Sequence, residues 1–155
     1  MATVSVNGIE EYQQLIGQTI GPGEWREVTQ ELINDYAEVS GDHQWIHVDV
    51  ERAEKESPFG RTVAHGDLTL CLINGHFRQE LLQSSGFKLG INYGWNKIRF
   101  PAPVPSASRL RATTEVVSVD EIGDGWWQIS QRFSVEVEGS EKPACVAEHV
   151  SRVLA

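Results

Sequence analysis

The chain has 155 residues, enough for one domain with a real core. Its hydrophobic share of 40% and charged share of 23% are ordinary for a soluble globular protein. The formal net charge of -9 argues against a nucleic-acid surface, which needs a basic field. An anionic ligand would need a local basic patch. Arg61, Lys88, Lys97, Arg99, Arg109 and Arg111 could supply one, although most of them read as solvated surface charges. Cys71 and Cys145 sit in apolar surroundings without metal or redox spacing, so both are expected as buried free thiols of a reducing cytoplasm. The first residues, MATVSVNGIEEY, lack the basic and apolar parts of a signal peptide. The longest apolar run is too short to insert into a membrane, and a cytoplasmic location is expected.

Residues 9–16 suggest a short helix, and 17–25 a loop leading to a strand at 25–28. Thr29 can cap a helix over 30–38, whose Leu32, Ile33, Tyr36 and Ala37 recur at helical spacing; Gly41 ends it. The stretch 42–65 is mostly irregular, with one or two turns over 50–56 capped by Asp49, broken by Pro58 and Gly60. From Asp67 to about Gln83 the pattern is helical again. Leu70, Ile73, Phe77 and Leu81 form a stripe that Leu68, Cys71 and Leu72 widen, as in a buried helix. Strands follow near 89–100, over 109–117, over 126–137 and near 143–154. Gly123-Asp124-Gly125 joins the second and third as a hairpin. At Val117-Ser118-Val119 the alternation changes face. These parts predict an α+β protein: an antiparallel meander curled around one long apolar helix.

The chemistry concentrates in Ser40-Gly41-Asp42-His43-Gln44-Trp45-Ile46-His47, where Asp42 and His47 stand five positions apart on a loop between helical segments. A carboxylate and an imidazole aimed at one point can share a water and redistribute its protons. Gly66 stands where the long helix begins. The N–H groups of a helix's first turn have no intrahelical partner and carry the positive end of its dipole, so a carbonyl oxygen placed there would be polarised. Such a donor contributes on the order of a hundredfold in rate. Taken alone, an Asp-x4-His spacing is equally at home in any loop, and Gly66 could be only a joint.

Asp42 through Asp49, then Pro58-Phe59-Gly60 and Ala64-His65-Gly66, resemble the MaoC-like dehydratase family, the (R)-specific enoyl-CoA hydratases. The match is best with the nodulation protein N-like branch. The resemblance continues through residues 91–105 and 138–148, so it covers nearly the whole chain as a single domain, 1–155. It implies a hot-dog fold, a curved antiparallel β-sheet around one long central helix, and usually a homodimer with two sheets joined edge to edge. It also implies an acyl-CoA thioester substrate, with water added to a trans-2-enoyl-CoA to give an (R)-3-hydroxyacyl-CoA. By position, the acid–base pair falls on Asp42 and His47 and the oxyanion donor on the Gly66 backbone N–H. Which of Asp42 and His47 is the base stays open. Gln44-Trp45 replaces the Asn-Pro of the common family motif. A supporting polar residue of some relatives falls at Asn74. No metal and no cofactor are expected.

His43 is expected at the surface, and His65 as loop support through a ring hydrogen bond. His76 and His149 read as satisfied or exposed polar positions. Trp45 could shield the site water or pack in the core. Trp126 and Trp127, adjacent on a strand, should face opposite ways. Tyr93 and Trp95 share strand parity and could line an acyl channel or a dimer seam. Two rivals compete with the hydratase. One is a thioesterase on the same fold using Asp67, whose simpler role is a favourable acid in a helix's first turn. The other is an acyl-CoA-binding subunit without activity.

Overall fold

A computed structural model describes residues 2–155. Its elements are β1 (Val4–Asn7), α1 (Gly8–Gln14), β2 (Thr19–Ile20), β3 (Arg26–Val28), α2 (Gln30–Ser40), α3 (Trp45–Val48) and α4 (Val50–Glu56). The central helix follows as α5 (Gly66–Leu72), a π-helical stretch (Ile73–Phe77) and α6 (Arg78–Leu81). Then come β4 (Leu82–Ser85), β5 (Leu89–Arg99), β6 (Ser108–Gly123), β7 (Trp126–Val137) and β8 (Cys145–Leu154). The caps act as their residue types dictate. Thr29 Oγ1 accepts from Leu32 N–H at 3.1 Å, Gly41 closes α2 at φ 76°, and Asp49 accepts from Arg52 N–H at 3.0 Å to start α4.

The large sheet runs β2-β6-β7-β8-β5, antiparallel throughout, with β3 also paired to β6. The plain meander expected from chain order is therefore corrected: β5 lies beyond β8, at the edge far from β6. The segment between β5 and β6, rich in proline, has to cross back over the fold. It does so as a strap, in which Ala64 N–H donates to Val104 O (2.8 Å) and Ser106 N–H to Thr62 O (2.9 Å). β1 and β4 form a separate parallel pair that periodicity over so few residues did not announce. Consequently the central helix stops at Leu81, short of the expected Gln83, because Leu82–Ser85 is strand.

The face change in β6 has a direct cause. Leu110, Ala112, Thr114 and Val116 point inward, the ladder to β7 slips between Val116 and Ser118, and Val119 then points inward. Val117 is the extra residue of a β-bulge. A second bulge corrects the expected pairing of Tyr93 with Trp95. The register of β5 slips between Asn92 and Gly94, so Tyr93 is exposed under the Arg152 guanidinium (3.5 Å) while Trp95 packs on the core. Trp127 also packs on the core and Trp126 lies on the outer face, as their adjacency requires.

The central helix buries Leu68, Leu72, Ile73, Phe77 and Leu81 against the sheet. Leu68 to Ile73 and Leu72 to Phe77 are five-residue steps, which a π-turn keeps on one face and an α-turn does not. The extra residue moves the stripe and turns Cys71 outward. Cys71 is thus exposed rather than buried; Cys145 is fully buried, and both are free thiols. Among the described residues no helix is long and apolar enough to cross a membrane.

Candidate active site

Three neighbouring segments converge at the start of the central helix. Gly41 turns the chain out of α2, and the Asp42 carboxylate accepts from Gln44 N–H at 3.2 Å, which folds the loop back on itself. His47 lies in the one-turn helix α3, a correction to the expected loop. That helix is clamped at both ends: Gln30 Nε2–H donates to His47 O (2.8 Å), and Val63 N–H donates to Ile46 O (3.0 Å). Gln30 also accepts from the Thr62 hydroxyl, so one α2 side chain ties α3 to the segment before the central helix.

His47 is buried, and its Nδ1 lies 2.6 Å from Val63 O. A carbonyl oxygen only accepts, so Nδ1 carries the proton and Nε2 carries the free lone pair. Burial is the main influence that holds the ring's pKa below the ordinary histidine value. The Val63 carbonyl opposes it, His65 adds to the lowering, and the Asp42 charge opposes it again. Asp42, His47 and His65 each place a ligand-capable atom within 4.8 Å of the others. Two hydrogen bonds from one tetrahedral water span roughly 4.6 Å, so a single water fits between such groups.

His65 Nε2–H donates to Asp42 O at 2.9 Å, and its ring lies face to face with His47, centroids 3.8 Å apart at 24°. Tyr36 of α2 packs on the same ring at 4.8 Å. Sequence reasoning placed Tyr36 only on the core stripe of α2 and expected a ring hydrogen bond from His65 to the loop without naming its partner, which is the Asp42 carbonyl; Gln30 and Val63 carried no signal at all. The stacked histidines also bear on metal binding. His65 Nε2 is spent on the Asp42 carbonyl and His47 Nδ1 on the Val63 carbonyl, so each ring has one nitrogen left.

Gly66 opens the central helix beside the Phe100 ring; a Cβ there would lie 3.0 Å from the ring. A cavity of about 320 Å³ adjoins it, lined by Phe59, Gly66, Thr69, Phe100, Pro103 and Val104. The strap residues form its apolar wall. Asp67, one position on, is exposed and outside the Asp42–His47 group. Asn74 lies farther along the helix, bonded to Arg78 (3.4 Å) and lining a separate cavity with Cys71 and Trp95.

The remaining candidates lie elsewhere. His43 is bound to Glu38 at 2.7 Å on the surface, which raises its pKa, and His76 is exposed. Trp45 sits under the Arg52 guanidinium (4.2 Å). Arg109 pairs with Glu138 and Arg111 with Glu136 (2.8 Å), and both guanidiniums cover Trp25, so neither belongs to an anion patch at this site. Arg61 is bonded to Ser106 O (3.0 Å) and Arg99 to Ile98 O (2.7 Å).

The MaoC-like domain model matches residues 11–136. The chain is 51% identical over 139 residues to 3-hydroxyacyl-thioester dehydratase Z of Mycobacterium tuberculosis, covering 90% of this chain and 91% of that one. It is 37% identical over 136 residues to nodulation protein N of Rhizobium leguminosarum bv. viciae, covering 88% and 84%. An R-hydratase of Pseudomonas aeruginosa, solved without ligand, shares the fold with a TM-score of 0.66 at 23% identity, covering 90% and 81%. The chain belongs to the MaoC-like dehydratase family, hydro-lyases built on the hot-dog fold.

Proposed function

We propose that the protein is an (R)-specific enoyl-CoA hydratase, adding water to trans-2-enoyl-CoA to give (R)-3-hydroxyacyl-CoA. The observation that carries this is the His47 tautomer: Val63 O accepts the Nδ1–H, which leaves Nε2 as the basic nitrogen of a ring that places a ligand-capable atom within 4.8 Å of the Asp42 carboxylate. The thioester carbonyl docks on the Gly66 N–H. Asp42 accepts one hydrogen of the water and orients it, while His47 Nε2 removes the other. The oxygen bonds to C3, the double-bond electrons move to the thioester oxygen at Gly66, and the proton on His47 passes to C2. One water thus provides both new atoms to one face. The activity of the mycobacterial relative, a dehydratase of 3-hydroxyacyl thioesters by name, is the same equilibrium read backwards.

One domain over 1–155 carries the site. A cytoplasmic homodimer is the form proposed, supported by the edge strand β5, whose only sheet neighbour among the described residues is β8 and which exposes Leu89, Ile91 and Tyr93. The test is an assay of purified protein with crotonyl-CoA. Reversible loss of enoyl absorbance with (R) product is expected. Release of free CoA thiol would establish the Asp67 thioesterase instead, and binding without turnover would establish a silent subunit.

Two further results follow. His47 works unprotonated, so kcat/KM should stay level as pH falls past the ordinary histidine value of about 6.5 and decline only below it, as the depressed pKa requires. An acid limb at or above that value would contradict the role of His47. Gly66→Ala forces a methyl group against Phe100, and the displaced helix start should lower kcat by about tenfold to a hundredfold. Full activity in that variant would remove Gly66 from the site.

A further inference from the structure

The His65 ring touches every part of the site that has to stay in place. Its Nε2–H reaches back to the Asp42 carbonyl (2.9 Å). One face carries the His47 ring at 3.8 Å, and Tyr36 packs on the ring at 4.8 Å. It is also the residue from which the central helix starts, directly before Gly66. It is only 3% exposed, and its Nδ1 has no hydrogen-bond partner among the described residues. We propose that His65 is the positioning residue of this site: as a neutral ring it ties the Asp42 loop to the helix start and serves as the flat support on which His47 takes up and returns its proton.

The reasoning is steric and electrostatic together. The Nε2–H bond to a carbonyl fixes the tautomer and leaves Nδ1 as a buried lone pair. Protonating Nδ1 would bury an unpartnered charged N–H and set two like charges face to face once His47 became cationic. A neutral aromatic face against a transient imidazolium is attractive instead. The titratable groups facing His65 are Asp42 from the loop, His47 from α3 and Tyr36 from α2. Cys71 and Asp67 of α5 lie beyond, at the Tyr36 hydroxyl.

This inference rests on the hydratase reading, and its test separates the two. His65→Phe keeps a flat ring but loses the bond to Asp42; His65→Gln keeps an amide donor but loses the flat ring. With crotonyl-CoA, His65→Phe should lower kcat on the order of a hundredfold with little change in KM, and His65→Gln should recover most of it. In His65→Gln the acid limb of kcat/KM should shift from its wild-type position, because the ring on which His47 lies is gone. The tautomer of His47, read from its ring nitrogen shifts by NMR, is the readout that needs no turnover. A single Nδ1–H form in the wild type should give way to a mixture in His65→Phe. If His65→Phe keeps kcat and the single tautomer, the positioning role is overturned. If His65→Phe does not fold, an unmoved acid limb in His65→Gln overturns it. If the wild type hydrates nothing yet its tautomer responds as stated, the positioning stands and the proposed reaction falls.

Discussion

Replacing His47 with glutamine is expected to lower crotonyl-CoA hydration by about a thousandfold, with folding and melting temperature kept. Glutamine can still donate to Val63 O, so α3 keeps its anchor, but it offers no basic nitrogen to the water. Asp42→Asn should cost a similar factor, because an amide keeps the size of the carboxylate while losing the charge that orients the water. The double variant should be scarcely worse than either single one, since the two groups act on one water and their effects do not add. His43→Gln is the control: its ring is tied to Glu38 at the surface, and turnover should be unchanged. Normal hydration by both single variants would show that the chemistry is elsewhere on the molecule.

The second large effect is on stability. His149 is fully buried opposite Gln131 on the neighbouring strand, its ring tilted against Trp95 at 4.6 Å, with Nε2 3.0 Å from Asn92 Oδ1. Burial, helped by the Arg78 charge, pushes its pKa down to about 4. The unfolded chain's histidine titrates near 6.5, so above that pH both states are neutral and the contribution is complete. As pH falls, the unfolded state takes up a proton that the folded state refuses, and stability is lost until the folded pKa is reached. The loss between about pH 7.5 and pH 4.5 should be roughly 2–3 kcal/mol, read from urea midpoints. His149→Gln has nothing to titrate there, and its midpoint should fall less over the same interval. Equal slopes for the two proteins would mean that another group carries the acid sensitivity.

What could be read in advance follows from where the information lies. The Asp42–His47 pair and Gly66 were legible because each is local: a spacing on one loop and a glycine at a helix start. The inward residues of β6 and β7, and even the change of face at Val117, were visible in the alternation itself. His65 as the support under His47 was not visible, because stacking depends on how α2, α3 and α5 meet in space. The position of β5 beyond β8 was hidden for a related reason. Strand periodicity says which face a residue takes and nothing about which strand lies alongside. Cys71 was misjudged because its burial was inferred from an uninterrupted α-helical period, and the helix does not keep one.

That interruption has a consequence for how this helix tolerates change. Leu68 and Leu72 are keyed to the core ahead of the π-turn, Ile73, Phe77 and Leu81 after it, and the two sets are out of step by one residue. Deleting one residue between Leu72 and Phe77 would shorten that step to four residues, and an ordinary α-helix would then keep Leu68, Leu72, Phe77 and Leu81 on one face. Inserting a residue there would instead turn one set by about 100°, so that either Phe77 and Leu81 would leave the sheet or Gly66 would leave the water site. At this turn the helix therefore has room to lose one residue and none to gain, held by packing at one end and by chemistry at the other.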